Sequence, residues 1–149
     1  MQFNDTQLDA VQQFLQAGNL LAYPTEAVWG IGCDPFNEIA VKQILAIKQR
    51  PIEKGMIVIT GDIAHIQPFL QPLPKQVVDS IAASWQSSDA QATTWLLPIP
   101  ASLQGKIPDW VTGGRDSLAI RVITHPMIAK LCNTIAHADN NNPFGINEL

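Results

Sequence analysis

The 149-residue chain is short of charge, and what it has is tilted acidic. Charged residues make up 15% of it, 9 basic against 13 acidic, for a net charge of −4. No global positive field therefore draws nucleic acid in, and any anion-binding function has to come from a local cluster. Cysteine is nearly absent. Cys33 and Cys132 lie far apart and form no metal-spaced pair, so the expectation is two free thiols in a reducing compartment. His65, His125 and His137 are too scattered to argue for a metal site. HExxH, CxxC, Gly-x-Ser-x-Gly, GxGxxG and P-loop patterns are missing, and no Ser, His and Asp spacing singles out a hydrolytic triad. The start, Met1-Gln2-Phe3-Asn4-Asp5, lacks a basic region and an apolar block. No apolar run approaches the roughly 20 residues that span a bilayer. These absences lead us to expect a soluble, cytoplasmic protein with no membrane partner.

What is present is a hydrophobic fraction of 46%, enough for a single domain, residues 1–149, with a real core. Asp5 or Thr6 is positioned to cap a first helix carrying Leu8, Val11, Phe14 and Leu15, and Gly18 to end it. Residues 20–23 read as a buried strand stopped by Pro24. The stretch 28–33 contains Gly30 and Gly32, where the backbone can approach a ligand or another strand closely. Asn37 caps a second helix with Ile39, Val41, Ile44, Leu45 and Ile47, which should stop before Pro51. A buried strand follows over 55–60. Helices are expected over 62–70 and 74–85, a polar loop over 86–92, strands over 93–99 and 117–122, a helix from Pro126 and a turn over 139–143. This βαβ-like order argues for an α/β sheet.

Three segments carry chemistry. In Lys48-Gln49-Arg50-Pro51-Ile52-Glu53-Lys54-Gly55, three cations fall between a helix end and a buried strand. Pro51 biases Arg50 to an extended conformation, in which residues two apart share a side, so Lys48 and Arg50 are expected to converge. A guanidinium fork and a mobile ammonium suit phosphate oxygens. The alternative is a set of solvated charges closing a helix C-terminus, where cations are favoured anyway. In Tyr23-Pro24-Thr25-Glu26-Ala27-Val28-Trp29-Gly30-Ile31-Gly32-Cys33-Asp34, a strand, a turn and a glycine pair make a concave rim. There Thr25 either meets a polar ligand or satisfies the turn's own backbone. In Asp116-Ser117-Leu118-Ala119-Ile120-Arg121-Val122, Arg121 interrupts an apolar strand pattern. A buried arginine needs a carboxylate or an anionic ligand, the internal candidates being Glu26 and Asp34.

These segments, with Thr93-Thr94-Trp95-Leu96-Leu97-Pro98, Trp110-Val111-Thr112-Gly113, His125-Pro126 and Leu131-Cys132, resemble the YrdC/TsaC family of threonylcarbamoyl-adenylate synthases in order and spacing from about residue 8 to 132. The resemblance implies a twisted mixed α/β sheet with flanking helices around a positively lined cavity, incomplete at the C-terminus. It also implies a nucleotidyltransferase that joins L-threonine, bicarbonate and ATP into threonylcarbamoyl-adenylate and pyrophosphate. Partner proteins of tRNA modification would pass the group to adenosine-37, and relatives are also described as binding double-stranded RNA. By position, Lys48, Arg50 and Lys54 would hold the triphosphate, with Mg²⁺ on the ATP rather than on protein ligands. Thr94 would line the nucleotide site. Thr25 would contact threonine, and Arg121 would pair with its carboxylate or a phosphate. No residue is implied as nucleophile or base, since adenylation needs charge stabilisation and positioning.

The chain departs from the family in two places. Relatives carry Trp-Pro-Gly-Pro-x-Thr where this chain runs from Trp85 to Thr94. After Leu131-Cys132 they continue to a Ser-x-Ser-Ala-Asn strand, where this chain ends Asn142-Pro143-Phe144-Gly145-Ile146-Asn147-Glu148-Leu149. Codons exist for Gly145 to Glu148 that read Val-Ser-Thr-Ser when shifted by one base, so a change of reading frame is expected. A lost sheet strand, an exposed hydrophobic edge and little synthase activity are expected with it. The readings that compete with an active enzyme are a non-catalytic RNA-binding module and an inactive fragment.

Overall fold

The computed structural model describes residues 4–25, 29–86, 92–138 and 146–148. A short 3₁₀ turn, Asp5–Gln7, leads into helix α1, Leu8–Gln16. The cap is Asn4 rather than Asp5 or Thr6. Its side chain accepts from Thr6 N, and Gln7 reaches back to Asn4 N, a reciprocal capping box. Strands β1, Leu21–Tyr23, and β2, Gly30–Cys33, form an antiparallel hairpin. Asn37 caps α2, Glu38–Lys48, by accepting from Ala40 N at 3.0 Å, as its position in the sequence predicts. Then come β3, Ile57–Thr60, a 3₁₀ turn, Ile63–Ile66, the single-turn helix α3, Gln67–Leu70, and α4, Lys75–Gln86. The second half holds β4, Trp95–Pro98, α5, Asp109–Thr112, β5, Ser117–Val122, and α6, Pro126–Ala138. Residues 87–91 of the expected polar loop and the expected turn at 139–143 lie outside the described residues. The loop's two ends are tied where Trp85 Nε1 donates to the Thr93 carbonyl at 2.8 Å.

One six-stranded mixed sheet results, in the order β1-β2-β6-β3-β5-β4, where β6 is Ile146–Glu148. The parallel pair β3–β5 aligns Ile59 with Arg121, and β4 runs antiparallel to β5 with Leu96 opposite Ala119. The mixed α/β sheet with flanking helices is the fold expected. The missing strand is not. Residues 146–148 lie between β2 and β3 and pair antiparallel with both, Asn147 opposite Cys33 and Val58. A ladder is made by backbone N–H and C=O groups, so three residues of a different sequence occupy the position without the Ser-x-Ser-Ala-Asn side chains. The expected open edge therefore does not arise there, and the outer strands are β1 and β4.

Alternation along the strands divides the core in two. Cys33, Val58, Leu97, Leu118 and Ile120 point to a first face and pack under α2, α3, α4 and α5. Leu21, Tyr23 and Ile59 point to the second face, under α1 and α6. Gly61 lets α6 settle closely there, since a Cβ on it would stand 2.3 Å from the Ala129 carbonyl oxygen.

Candidate functional site

The second face is only partly roofed. Arg121 shares it with Ile59, its register partner, and is buried at 8% exposure. Two and four residues back along β5, Ala119 and Ser117 point the same way and are half-buried. Ile57 of β3 does too, and Leu96 of β4 is 61% exposed. None of these four belongs to the core cluster beneath α1 and α6. In β2 the same face is presented by Gly30 and Gly32, which carry no side chain. β2 is separated from β5 by β6 and β3. The small residues of β5 itself, Ala119 and Ser117, between Ile57 of β3 and Leu96 of β4, floor a shallow trough running from Arg121 to Ser117, roughly 13 Å along the strand.

The strand directions put Thr25, after β1, and the Lys48 to Gly55 segment, before β3, at the lower end of the sheet. Thr94 precedes the Trp95–Ile120 pair, so it lies beside Arg121 at the upper end. The sequence-predicted residues therefore fall into two groups: Thr25, Lys48, Arg50 and Lys54 below, Arg121 and Thr94 above. Thr94 is exposed and Thr25 half-buried. Glu26, named above as an internal partner for Arg121, lies outside the described residues.

The convergence of Lys48 and Arg50 by strand alternation is corrected by the backbone. Lys48 is still helical, and Gln49 is left-handed at φ 50° and ψ 41°. Gln49 N bonds the Ala46 carbonyl and Arg50 N the Leu45 carbonyl, the Schellman pattern, here without glycine. Beyond that reversal the Arg50 side chain turns onto its own loop. Nε donates to the Gly55 carbonyl at 3.1 Å and Nη2 to the Lys54 carbonyl at 3.4 Å. Arg50 thus clamps the loop that presents Lys54. Lys48 and Lys54 are exposed, and neither joins an ion pair among the described residues.

A second loop locks against the first. Met56 N donates to the Val111 carbonyl at 2.8 Å. Gly113, at φ 72°, sits so near that a Cβ would come within 2.6 Å of the Glu53 carbonyl oxygen, and Gly55, at φ 69°, faces the Thr112 carbonyl. Both glycines combine left-handed backbone with close approach, which no side chain allows. Thr112 Oγ1 accepts from Gly114 N at 3.1 Å and fixes the turn. Between the loops and the foot of the trough is a hollow of about 20 Å³, lined among others by Lys54, Thr112, Arg115, Ser117 and Ala119. A larger surface hollow, about 260 Å³, lies on the other side of Arg115, over the connection from β4 to β5. Of the lower group only Lys54 lines the small hollow. Arg115 was not singled out in the sequence; its signal was a cation directly after a glycine pair and before a strand.

Cys33 is no candidate for chemistry. Burial, with Asp34 adding to it, pushes its thiol up to about 12, so it stays protonated under the first-face helices.

With this geometry in view, the chain matches the model of the Sua5/YciO/YrdC family, described as "Telomere recombination", over residues 13–138, and it belongs to that family. It is 50% identical over 137 residues to the threonylcarbamoyl-AMP synthase of Psychrobacter cryohalolentis, covering 89% of this chain and 63% of that one. To the enzyme of the same name from Acinetobacter baylyi it is 46% identical, covering 89% and 70%. Among solved structures it is similar to P. abyssi Sua5 complexed with L-threonine, with a TM-score of 0.74 and 23% identity over all of this chain and 39% of that one. That likeness establishes the fold. The chain spans less than two-thirds of the length of the Psychrobacter relative.

Proposed function

We propose that this chain performs threonylcarbamoyl-AMP synthesis. Bicarbonate and the amine of L-threonine condense to a carbamate with loss of water. A carbamate oxygen then attacks the α-phosphorus of ATP, and pyrophosphate leaves. The observation that carries this reading is the trough floored by Ala119 and Ser117, with Arg121 at its upper end and Lys54 at its lower end. Relatives named for the same reaction add to it. In this reading Lys48 and Lys54 meet phosphate oxygens. Arg50 holds the Lys54 loop in place, Thr94 flanks the nucleotide, Thr25 bonds the threonine hydroxyl or carboxylate, and Arg121 pairs with an anionic group. The residues supply positioning and positive charge, which is what an in-line displacement at phosphorus requires. Among the described residues no three carboxylate, thiol or imidazole groups gather to hold a metal. In this reading Mg²⁺ would come with the ATP and share in neutralising its phosphates. The activated threonylcarbamoyl group would pass to partner proteins that load it onto tRNA. Among the described residues no helix is long and apolar enough to cross a membrane.

The test is release of pyrophosphate from ATP by the purified 149-residue chain. Release that requires both L-threonine and bicarbonate supports the proposal. Release independent of threonine, or none, refutes it.

A further inference from the structure

The sheet has two outer strands, and they differ. β1 shows only Ala22 to solvent, with Leu21 and Tyr23 buried on either side of it. At β4 a whole row is exposed: Thr94 just before the strand, then Leu96 and Pro98 within it, with Leu96 at 61%.

The backbone of β4 is open as well. Ile99 N donates to the Asp116 carbonyl at 2.8 Å, one step beyond the Pro98–Ser117 pair. Hydrogen-bonded pairs alternate in an antiparallel ladder. Ile99, Leu97 and Trp95 therefore turn their backbone groups toward β5, and Thr94, Leu96 and Pro98 turn theirs outward. Among the described residues no strand pairs beyond β4. Edges are commonly blunted by charge, bulges or proline. Pro98 leaves the lower part of this edge without a donor. The upper part, Thr94 and Leu96, has no such protection, and no charged residue falls between Asp89 and Lys106.

These features select the partner. A two-fold axis sets a segment against itself, so a charged edge would meet its own charge, and this one carries none. An axis through Trp95 pairs Thr94 of each copy with Leu96 of the other, and every outward N–H of these residues finds a carbonyl. An axis through Leu97 would pair Leu96 with Pro98 and lose half of those bonds. In the Trp95 register Leu96 leaves water beside Thr94 of the second copy. The two Trp95 residues face each other as a non-hydrogen-bonded pair, the closer kind across strands.

We propose that β4 is a self-association edge: two copies of this chain pair antiparallel through Thr94 to Leu96 and join their sheets into one. The pairing sets Thr94 of the second copy beside Leu96, the outer wall of the trough. It does not depend on the proposed reaction.

The experiment is analytical ultracentrifugation of the 149-residue chain across a concentration series, without nucleotide. A reversible monomer–dimer equilibrium is expected. Leu96→Lys alters a side chain that is exposed in the monomer. It should raise the dissociation constant about tenfold or more, because each dimer loses a buried leucine from both copies. Leu96→Pro should weaken the dimer through the backbone, since the N–H it removes points away from β5. Disulfide trapping fixes the register. Trp95→Cys should link two copies under mild oxidation, since opposed Cα atoms there lie about 4.5 Å apart. Leu96→Cys should not, because its two copies stand roughly 8–9 Å apart. Cys33 and Cys132 are buried and do not compete. A chain monomeric at every concentration overturns the proposal, as does a dimer unmoved by both Leu96→Lys and Leu96→Pro, or growth beyond dimers. Linkage at 96 in place of 95, or no linkage at 95 in a dimer that Leu96→Lys weakens, overturns the Trp95 axis.

Discussion

The two faces of the sheet are built from the same strands, residue by residue in alternation, and they end up in different states. On the first face Cys33, Val58, Leu97, Leu118 and Ile120 are at 3% exposure or less, with Ile31 and Trp95 half-buried toward its margins. The second is dry only where α1 and α6 reach it. Beyond them, Ile57, Ala119 and Ser117 are half-buried and Leu96 stands in solvent. Strand propensity does not distinguish the faces, because every strand serves both. The difference comes from where the connecting helices go and from how small the uncovered side chains are. Where Ala119 and Ser117 floor the open stretch, a ligand can approach the sheet between Ile57 and Leu96.

The strongest way to break this contrast is to push α6 off the second face. Gly61→Ala sets a methyl group 2.3 Å from the Ala129 carbonyl oxygen and 2.8 Å from Asn133 Oδ1. Backbone has to shift, and the expected loss is about 3 kcal/mol, read as a lower denaturant midpoint with the slope unchanged. A loss below about 0.5 kcal/mol would mean that α6 does not seal this face as described.

The lower end of the open face depends on Arg50, and Arg50→Lys separates its two readings. The charge survives, but the two bonds to the Lys54 and Gly55 carbonyls are lost. If Arg50 is mainly a clamp, the variant loses about 1–2 kcal/mol of stability. Its pyrophosphate affinity then falls as much as that of Arg50→Ala. Retention of wild-type affinity by the lysine variant alone would make Arg50 a direct contact instead.

The closed face has its own signature in pH. The Cys33 thiol is raised from 9.0 to about 12 in the folded chain. Below pH 9 the thiol is neutral in both states and its burial contributes in full. Above it the unfolded chain ionises first and binds fewer protons than the folded one. Stability then falls by up to ~1.4 kcal/mol per pH unit until the folded thiol ionises as well. Between about pH 8 and pH 10, unfolding free energy should therefore drop about 1 kcal/mol more in the unaltered chain than in Cys33→Ala. Parallel pH profiles would show that water reaches the first face.

Much of this was legible in the sequence. Helices α1, α2, α4 and α6 and strands β1, β3, β4 and β5 followed from periodicity and from caps such as Asn37, and the strand over 117–122 emerged with its predicted bounds, whereas β2, β6 and the single-turn α5 were not read from the sequence. The family followed from the Tyr23 to Asp34 and Lys48 to Gly55 segments. Three things were hidden. Arg50's hold on its own loop depends on one left-handed residue that no pattern announced. The lock of the Gly113 loop against Glu53 is a contact between distant segments. The filling of the central strand position by residues 146–148 rests on backbone pairing, which side-chain motifs do not encode.

The mildest test concerns the end of α2, the helix that covers the first face and delivers the chain to the second. Gln49 holds φ 50° and ψ 41°, a conformation that costs an L-residue roughly 1 kcal/mol and glycine almost nothing. The Schellman bonds to Ala46 and Leu45 are made by backbone, so they survive a change of side chain. Gln49 is exposed, so little packing is lost with it. Against this, glycine gives the unfolded chain more freedom and returns part of the gain. The balance predicts that Gln49→Gly stabilises the protein by about 0.5 kcal/mol, with pyrophosphate affinity unchanged because the Arg50 clamp stays in register. A destabilised variant would show that the glutamine side chain holds the helix end. A stabilised variant with weakened pyrophosphate binding would show that the stiffness of this turn, and not the clamp alone, sets where Lys54 stands.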